Sequence, residues 1–596
     1  MFVNRLLAFL GSWGLLFLIF IDILFLLAAV SHSADSQNLG YFDAFLVVLS
    51  TQDDKAEGFT KLFLLGKNII LLWAAIKISI GTVGERWNNF FAKYLSRGHV
   101  VIVAGATSDV TSAMHSRHVR AVGGGKTALA IDLALELALQ ERGRKVLLLL
   151  PQLDEPTRTQ LWEAGVQLIV DDIPQSQIAL ATGMRRANML IAMREDFESN
   201  LALCRIAMSP KLGSPVIECK CMIEPLSFKQ KFRAQDYFEV NTLPRLRVFN
   251  EAEIIARRLI SDYPPDVNFE IQSIGTHLLL VGFGTLGQAV VVQLARIGHY
   301  RNEAKPKVTI IDRNVDQLWS GLIEQYPAIT EILDVQLEKC LIENIGRTQV
   351  ERWCQGPRKV TRTYVCTKNE VANLRVAKVF LSSGFVEKSA PIVVLDPPGG
   401  TLIAEYKDYG AERNLDVFSL VNSSGHRSNH RAATDFLTDV DDEYPKLMHL
   451  AYRQGLEEAR NKNPTGTAKT KPNDLPWEEL DEQMRDANRV PADHYYVKLR
   501  ALDLIQVQEQ GAPLFVLSSE ELELFADMEH RRWCADRLMA GWVYNDIRND
   551  ELKHHPDLIP YKKLTDETKK YDRDQVILMM KILQQDDWRI KRKYGP

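Results

Sequence analysis

Leu278-Leu279-Leu280-Val281-Gly282-Phe283-Gly284-Thr285-Leu286-Gly287 decides the fold of this 596-residue chain. An unbroken apolar run predicts a strand buried on both faces. The glycines then open a helix, and Val308-Thr309-Ile310-Ile311 forms the next apolar run, closed by Asp312. Strand, Gly-x-Gly-x-x-Gly, helix, strand and acid is the order that a dinucleotide-binding turn requires. Gly282, Gly284 and Gly287 allow the backbone to approach a pyrophosphate at the helix N-terminus. Asp312 can accept a hydrogen bond from a ribose hydroxyl. NAD(H) or an adenine nucleotide is the expected cofactor. The alternative is a tight turn that shapes the fold and holds nothing.

A second unit of the same kind precedes it. His99-Val100-Val101-Ile102-Val103-Ala104-Gly105 reads as a buried parallel strand, and an Ala- and Leu-rich helix is expected over about 126–140. Residues 145–150, 165–172 and 189–193 supply further strands. Alternating strands and helices predict doubly wound parallel sheets. Here the fingerprint is broken by an insertion at about 106–122, and the second strand ends at Pro151 without a ribose acid. Gly123-Gly124-Gly125-Lys126-Thr127 resembles a phosphate loop, but Arg120 stands where that loop needs its first glycine.

Both units continue alike. The first has Asn188 to Met193 and Asn200-Leu201; the second has Tyr364-Val365-Cys366-Thr367-Lys368-Asn369 and Asn373-Leu374. Arg247-Val248-Phe249-Asn250-Glu251-Ala252 begins a helix between them. Over about residues 99–400 this resembles the Rossmann-like RCK (TrkA-N) domains that gate potassium channels and transporters. The resemblance implies a crossover helix between the units and a homotetrameric gating ring.

The N-terminal part carries two apolar runs. Residues 6–30 are interrupted by Asp22, and residues 62–80 contain Lys67 and Lys77. The first is about the 20 residues needed to span a bilayer, or longer. Arg5 precedes the pair, Arg86, Lys93 and Arg97 follow it, and the loop between holds Asp35, Asp43, Asp53 and Asp54. The positive-inside rule then places both termini, and all C-terminal domains, in the cytoplasm of a multi-pass inner (plasma) membrane protein in contact with lipid. An intramembrane acid is a functional candidate. Asp22 either pairs with Lys67 or faces water. Residues 41–51 are similar to the pore helix of two-span potassium channels, and the whole arrangement resembles the plant CASTOR/POLLUX channels in outline. Thr51, Gln52, Asp53 and Asp54 are the expected pore-mouth residues; the potassium filter TVGYG is missing.

Near the C-terminus aromatic faces and cationic tips alternate. Glu529-His530 and Trp533 come first, then Gly541-Trp542 and Tyr544. Lys553-His554-His555-Pro556, Pro560-Tyr561, Leu564, Lys569 and Asp572-Arg573 follow. Bases stack on rings, and Lys, Arg and His satisfy phosphate. This pattern closely resembles the RyR domain, first described in ryanodine receptors. The expected ligand contacts are Trp542, Lys553, His555, Tyr561, Lys569 and Arg573. The segment also repeats internally: Leu475-Pro476-Trp477-Glu478-Glu479-Leu480 matches Ile559-Pro560-Tyr561-Lys562-Lys563-Leu564, and His449 and Tyr452 share the spacing of His530 and Trp533. The first copy lacks the Gly-Trp and Lys-His-x-Pro elements.

The formal net charge of −4 gives no footprint for nucleic acid. Seven scattered cysteines read as reduced thiols; Cys219-x-Cys221 is either half of a metal site or, by its alternation, a strand, and His530, His554 and His555 have no Cys or acid at metal spacing, so no metal is expected. No nucleophile and base pair is apparent, so no enzymatic role is expected. The expected chain is a membrane α-helical hairpin (1–98), two doubly wound α/β units (99–265 and 266–430) and a mainly α tandem RyR-like unit (431–596). The expected function is a ligand-gated cation channel, potassium being one candidate ion. A pore-less membrane-anchored nucleotide sensor or defence effector is the first alternative, and an NAD-dependent enzyme the second.

Overall fold

The computed structural model describes residues 96–105, 125–140, 145–209, 217–232, 237, 245–266, 275–385, 391–396, 415–419, 442–462 and 474–593, with residues 26 and 30. The first unit runs β1 (Val100–Gly105), α1 (Gly125–Gln140), β2 (Val146–Leu150), α2 (Glu155–Glu163), β3 (Gln167–Val170), α3 (Gln175–Ala181), β4 (Met189–Arg194), α4 (Phe197–Met208), β5 (Glu218–Met222), α5 (Leu226–Lys231) and β6 (Leu246–Phe249). Helix α6 (Glu251–Asp262) leads to the second unit. That unit has β7 (His277–Val281), α7 (Thr285–Ile297), β8 (Lys307–Asp312), α8 (Val315–Gln325), α9 (Ile329–Ile332), β9 (Asp334–Lys339), α10 (Arg347–Cys354), β10 (Arg362–Val365), α11 (Glu370–Ser383), β11 (Ile392–Asp396) and β12 (Leu415–Ser419).

The two sheets have the same winding. Their strand orders are β3-β2-β1-β4-β5-β6 and β12-β11-β10-β7-β8-β9. All pairs within them are parallel, as in Val100↔Val146 on one side of β1 and Val100↔Met189 on the other. This is the Rossmann order, and each sheet reverses direction at its first strand. Helices on both faces explain why the strands are apolar throughout. Val101 and Val103 enter one core with Leu147 and Leu149; Val100 and Ile102 enter the opposite core with Val146 and Leu148.

The C-terminal part contains α12 (Glu443–Lys462), α13 (Glu482–Asp493), α14 (Tyr495–Ala501), β13 (Leu504–Gln508), α15 (Ser519–Met539), β14 (Val543–Tyr544), β15 (His554–His555), α16 (Asp566–Leu583) and β16 (Trp588–Arg592). Antiparallel β13 and β16 tie its two halves together, with Leu504 opposite Arg592. This part shares one continuous apolar core with the second Rossmann unit: Phe283, Val290 and Leu294 belong to the same cluster as Phe525, Met528 and Met539.

The internal repeat is visible as matching side-chain networks. His449 Nε2 bonds to Leu475 O at 2.7 Å, and His530 Nε2 to Ile559 O at 2.8 Å. Arg489 grips Asp442 and Glu482; Arg573, the equivalent residue, grips Glu523 and Asp566. The first half spends its charges on docking. Buried Lys229 of α5 meets Glu253 at 3.0 Å, Asp486 at 3.1 Å and Glu482 at 3.7 Å. Arg257 of α6 forms two 2.8 Å bonds with Asp493, to which Gln293 of α7 also donates.

The multi-pass membrane placement is corrected. Among the described residues no helix is long and apolar enough to cross a membrane. The longest, α15 with 21 residues and α12 with 20, are studded with Glu, Asp, Arg and Lys. The two apolar runs at 6–30 and 62–80 lie outside the described residues apart from Leu26 and Val30, and Thr51, Gln52, Asp53 and Asp54 lie outside them altogether.

Candidate functional site

Two sites emerge. The first is the turn between β7 and α7, at the switch point where ligands of such sheets bind. Its three glycines have different reasons to be glycine. Gly282 has φ +95°, a left-handed conformation, and a Cβ there would press on the Cys366 backbone at 3.1 Å. A Cβ on Gly287 would lie 2.2 Å from Gly282 O, so this glycine lets the helix pack onto the strand. A Cβ on Gly284 would meet nothing within 4 Å. Gly284 therefore borders open space where a phosphate can come close to the backbone. The residues present fit a dinucleotide or nucleotide. Asp312 has a structural duty as well: it accepts from Phe283 N–H at 2.9 Å and Asn314 N–H at 2.8 Å, bracing the glycine turn. A carboxylate has acceptor sites left for a ribose hydroxyl.

In the first unit Gly105 repeats the φ of +95°. There Lys126 at the start of α1 is held by Glu224 at 2.9 Å and by Glu195 O at 2.9 Å, so its ammonium is engaged inside the protein. Both units share an asparagine lock. Asn200 bonds to both backbone groups of Arg194 and to Met222 O; Asn373 does the same with Thr367 and Leu395 O.

The second site is at the end of α15. Gly541, with φ +82°, turns the chain back. Gly541 N–H returns to Leu538 O and Trp542 N–H to Arg537 O, both at 2.9 Å, which is a Schellman termination. The turn brings Trp542 beside Arg537. The Arg537 guanidinium lies 5.2 Å from the Trp542 ring centre and 5.7 Å from that of Trp533, one helical turn earlier. His555 stands edge-on to both rings, at 4.9 Å from Trp533 and 6.0 Å from Trp542. Burial lowers the pKa of His555, and its Nδ1 accepts from Asp557 N–H at 3.2 Å, so the ring is neutral with its proton on Nε2. Arg537 forms no ion pair among the described residues, and its Nε has no hydrogen-bond partner. An arginine between two indoles with donors unspent is built to meet a planar, anionic ligand.

The other expected contacts are placed differently. Lys553 donates to Ala540 O at 2.8 Å and caps α15. Tyr561 is buried, its hydroxyl donating to Glu523 at 3.0 Å, and Lys569 lies 5.2 Å from its ring centre. Arg573 is paired with Glu523 and Asp566. Tyr561, Lys569 and Arg573 therefore gather around Glu523, outside the box itself. Of the residues named from sequence, Trp542 and His555 line the box; Arg537 and Trp533, whose spacing alone reads as packing, complete it. In the first half Leu456 and Tyr452 occupy the places of Arg537 and Trp533, so that half has no such box.

His530 braces the domain. Its Nδ1 lies 3.2 Å from the Asp572 carboxylate while Nε2 donates to Ile559 O, so both ring nitrogens donate. Burial alone would lower its pKa; the bond to Asp572, with Cys534 beside it, outweighs this and raises it to about 10. A raised folded-state value stabilises fully below the ordinary histidine pKa of 6.5. The contribution is then lost as pH climbs toward 10. Urea unfolding of the wild type should therefore weaken across that window, and Asp572→Asn should flatten the dependence. An unchanged slope in the variant would refute the pairing.

Residues 518–592 match the RyR domain family. Three solved structures are similar to more than half of the chain. A dipicolinate synthase structure from Bacillus halodurans is 13% identical, covers 55% of this chain and 91% of its own, and has a TM-score of 0.19. Its counterpart from Bacillus subtilis is 13% identical, with coverage of 58% and 95% and a TM-score of 0.20. A shikimate dehydrogenase in complex with NADP+ is 10% identical, with coverage of 54% and 84% and a TM-score of 0.22. The expectation of no enzymatic role is corrected here: the similar structures are those of a synthase subunit and a dehydrogenase. At such identities and TM-scores no reaction passes from them to this chain. The Rossmann assignment rests on the strand order.

Proposed function

We propose that this chain is a nucleotide sensor, in which the RyR unit reads a phosphorylated, ring-containing ligand and the second Rossmann unit holds a nucleotide. The observation that carries the reading is Arg537, its guanidinium over both the Trp533 and Trp542 rings and in no ion pair among the described residues. A purine ring fits against an indole face, and the guanidinium supplies a charge-assisted contact to phosphate. His555 offers a neutral N–H donor beside them. At the Rossmann turn, Gly284 borders open space that a pyrophosphate could enter, and Asp312 would accept from a ribose hydroxyl. A 2′-phosphate would meet the Asp312 charge, so NAD(H) suits this turn better than NADP. A bound dinucleotide would supply hydride chemistry there; the chain's own residues position and bind. Ligand sensing is put forward ahead of ion conduction because both candidate sites lie on described residues, while Thr51, Gln52, Asp53 and Asp54 lie outside them.

Calorimetry on the full chain with adenosine, AMP, ADP and ATP tests the reading. Affinity should rise with the number of phosphates and fall with salt. Equal affinity for adenosine and ATP, or no heat with any of them, would overturn it.

A further inference from the structure

Helix α7 begins at the glycine turn and ends against the RyR unit. Immediately past its end, His299 O is bonded by His494 Nε2 at 3.0 Å. His494 Nδ1 in turn accepts a hydrogen bond from Lys498 Nζ at 3.0 Å. Lysine only donates, so the histidine proton must sit on Nε2, directed at His299 O. Lys498 Nζ also binds Glu529 Oε2 at 2.7 Å, and Glu529 Oε1 receives two bonds from Arg532 at 3.0 and 2.7 Å. Glu529 is one turn before Trp533 and two before Arg537 on α15. All of His494, Lys498, Glu529 and Arg532 are buried.

This chain of bonds runs from the end of the helix that begins at the glycine turn to the helix that carries the box. A buried charge separated from its partner is heavily penalised, so α14 and α15 cannot slide independently, and the hydrogen bond from His494 to His299 O ties α14 to the end of α7. The apolar core supports the same link, since α7 and α15 pack in one cluster. The first half has Met448 at the position of Glu529, so the acid comes from the half that carries the box, while His494 and Lys498 come from the other.

We propose that a ligand in the Trp533–Arg537–Trp542 box and a nucleotide at the Gly282–Gly287 turn bind cooperatively, with Glu529 and Lys498 as positioning residues. The proposal rests on the sensor reading above. Fixing the end of α15 fixes Glu529, which holds Lys498 and His494, which hold the end of α7 and so the placing of its N-terminus.

The test titrates ATP into the full chain with and without saturating NAD+, and NAD+ with and without saturating ATP. Each ligand should tighten the other about five- to a hundredfold, and by the same factor, as linkage demands. Gly284→Val should abolish the effect of NAD+ on ATP. Glu529→Gln should bring the factor to about one while each ligand alone still binds. If that variant unfolds, reciprocity in the wild type still decides. Two ligands that bind with independent affinities overturn the coupling and leave the sensor reading standing. Failure of ATP to bind at all overturns both.

Discussion

Arg537→Ala should weaken ATP binding by the full chain about ten- to a hundredfold and leave the protein folded. A charge-assisted hydrogen bond is worth about 1.5–3 kcal/mol, which is that factor in affinity. The fold should survive because Arg537 makes no ion pair among the described residues; what it loses is its stacking on Trp533 and Trp542. Arg537→Lys should recover only part of the affinity, since a compact ammonium keeps the charge without the flat, bidentate face. Trp542→Ala should also weaken binding, by about 1–3 kcal/mol of lost stacking. Salt separates the causes: raised ionic strength should weaken the wild type and Trp542→Ala alike, and Arg537→Ala less. Unaltered ATP affinity in Arg537→Ala would show that the stack is only structural.

The second large effect separates two glycines three residues apart. Gly287→Val should destabilise the second Rossmann unit severely, because even its Cβ would lie 2.2 Å from Gly282 O, a backbone atom that cannot give way. Gly284→Val should fold normally, since its Cβ meets nothing within 4 Å, yet should lose NAD+ binding by closing off the backbone. Thermal unfolding together with NAD+ titration reads both. Normal NAD+ affinity in Gly284→Val would mean that the fingerprint serves the fold alone.

The Rossmann units are legible in the sequence because their signals are local. A buried strand, a glycine turn and a helix occupy consecutive residues, and the sheet order follows from winding rules. The repeat is legible because Pro476-Trp477 and Pro560-Tyr561 open equivalent short 3-10 turns. The box is only half legible. Arg537 follows Trp533 by four residues on a helix, which is the spacing of ordinary packing. What makes it a site is the turn at Gly541 that folds Trp542 back over it. Arg573 looks like a phosphate contact in the sequence because its partner Glu523 is 50 residues away. The bracing of the glycine turn by Asp312 and the docking of Lys229 on Glu482 and Asp486 likewise depend on tertiary contacts that no local pattern announces.

The measurement that tests the central claim most directly is the intrinsic fluorescence of the full chain titrated with ATP, followed in the wild type, Trp542→Phe and Trp533→Phe. A saturable change should appear in the wild type at the ATP concentrations that give calorimetric binding, and should shrink in each variant, most in Trp542→Phe. Calorimetric binding of ATP with the same fluorescence change in all three proteins would place the ligand elsewhere and contradict the account.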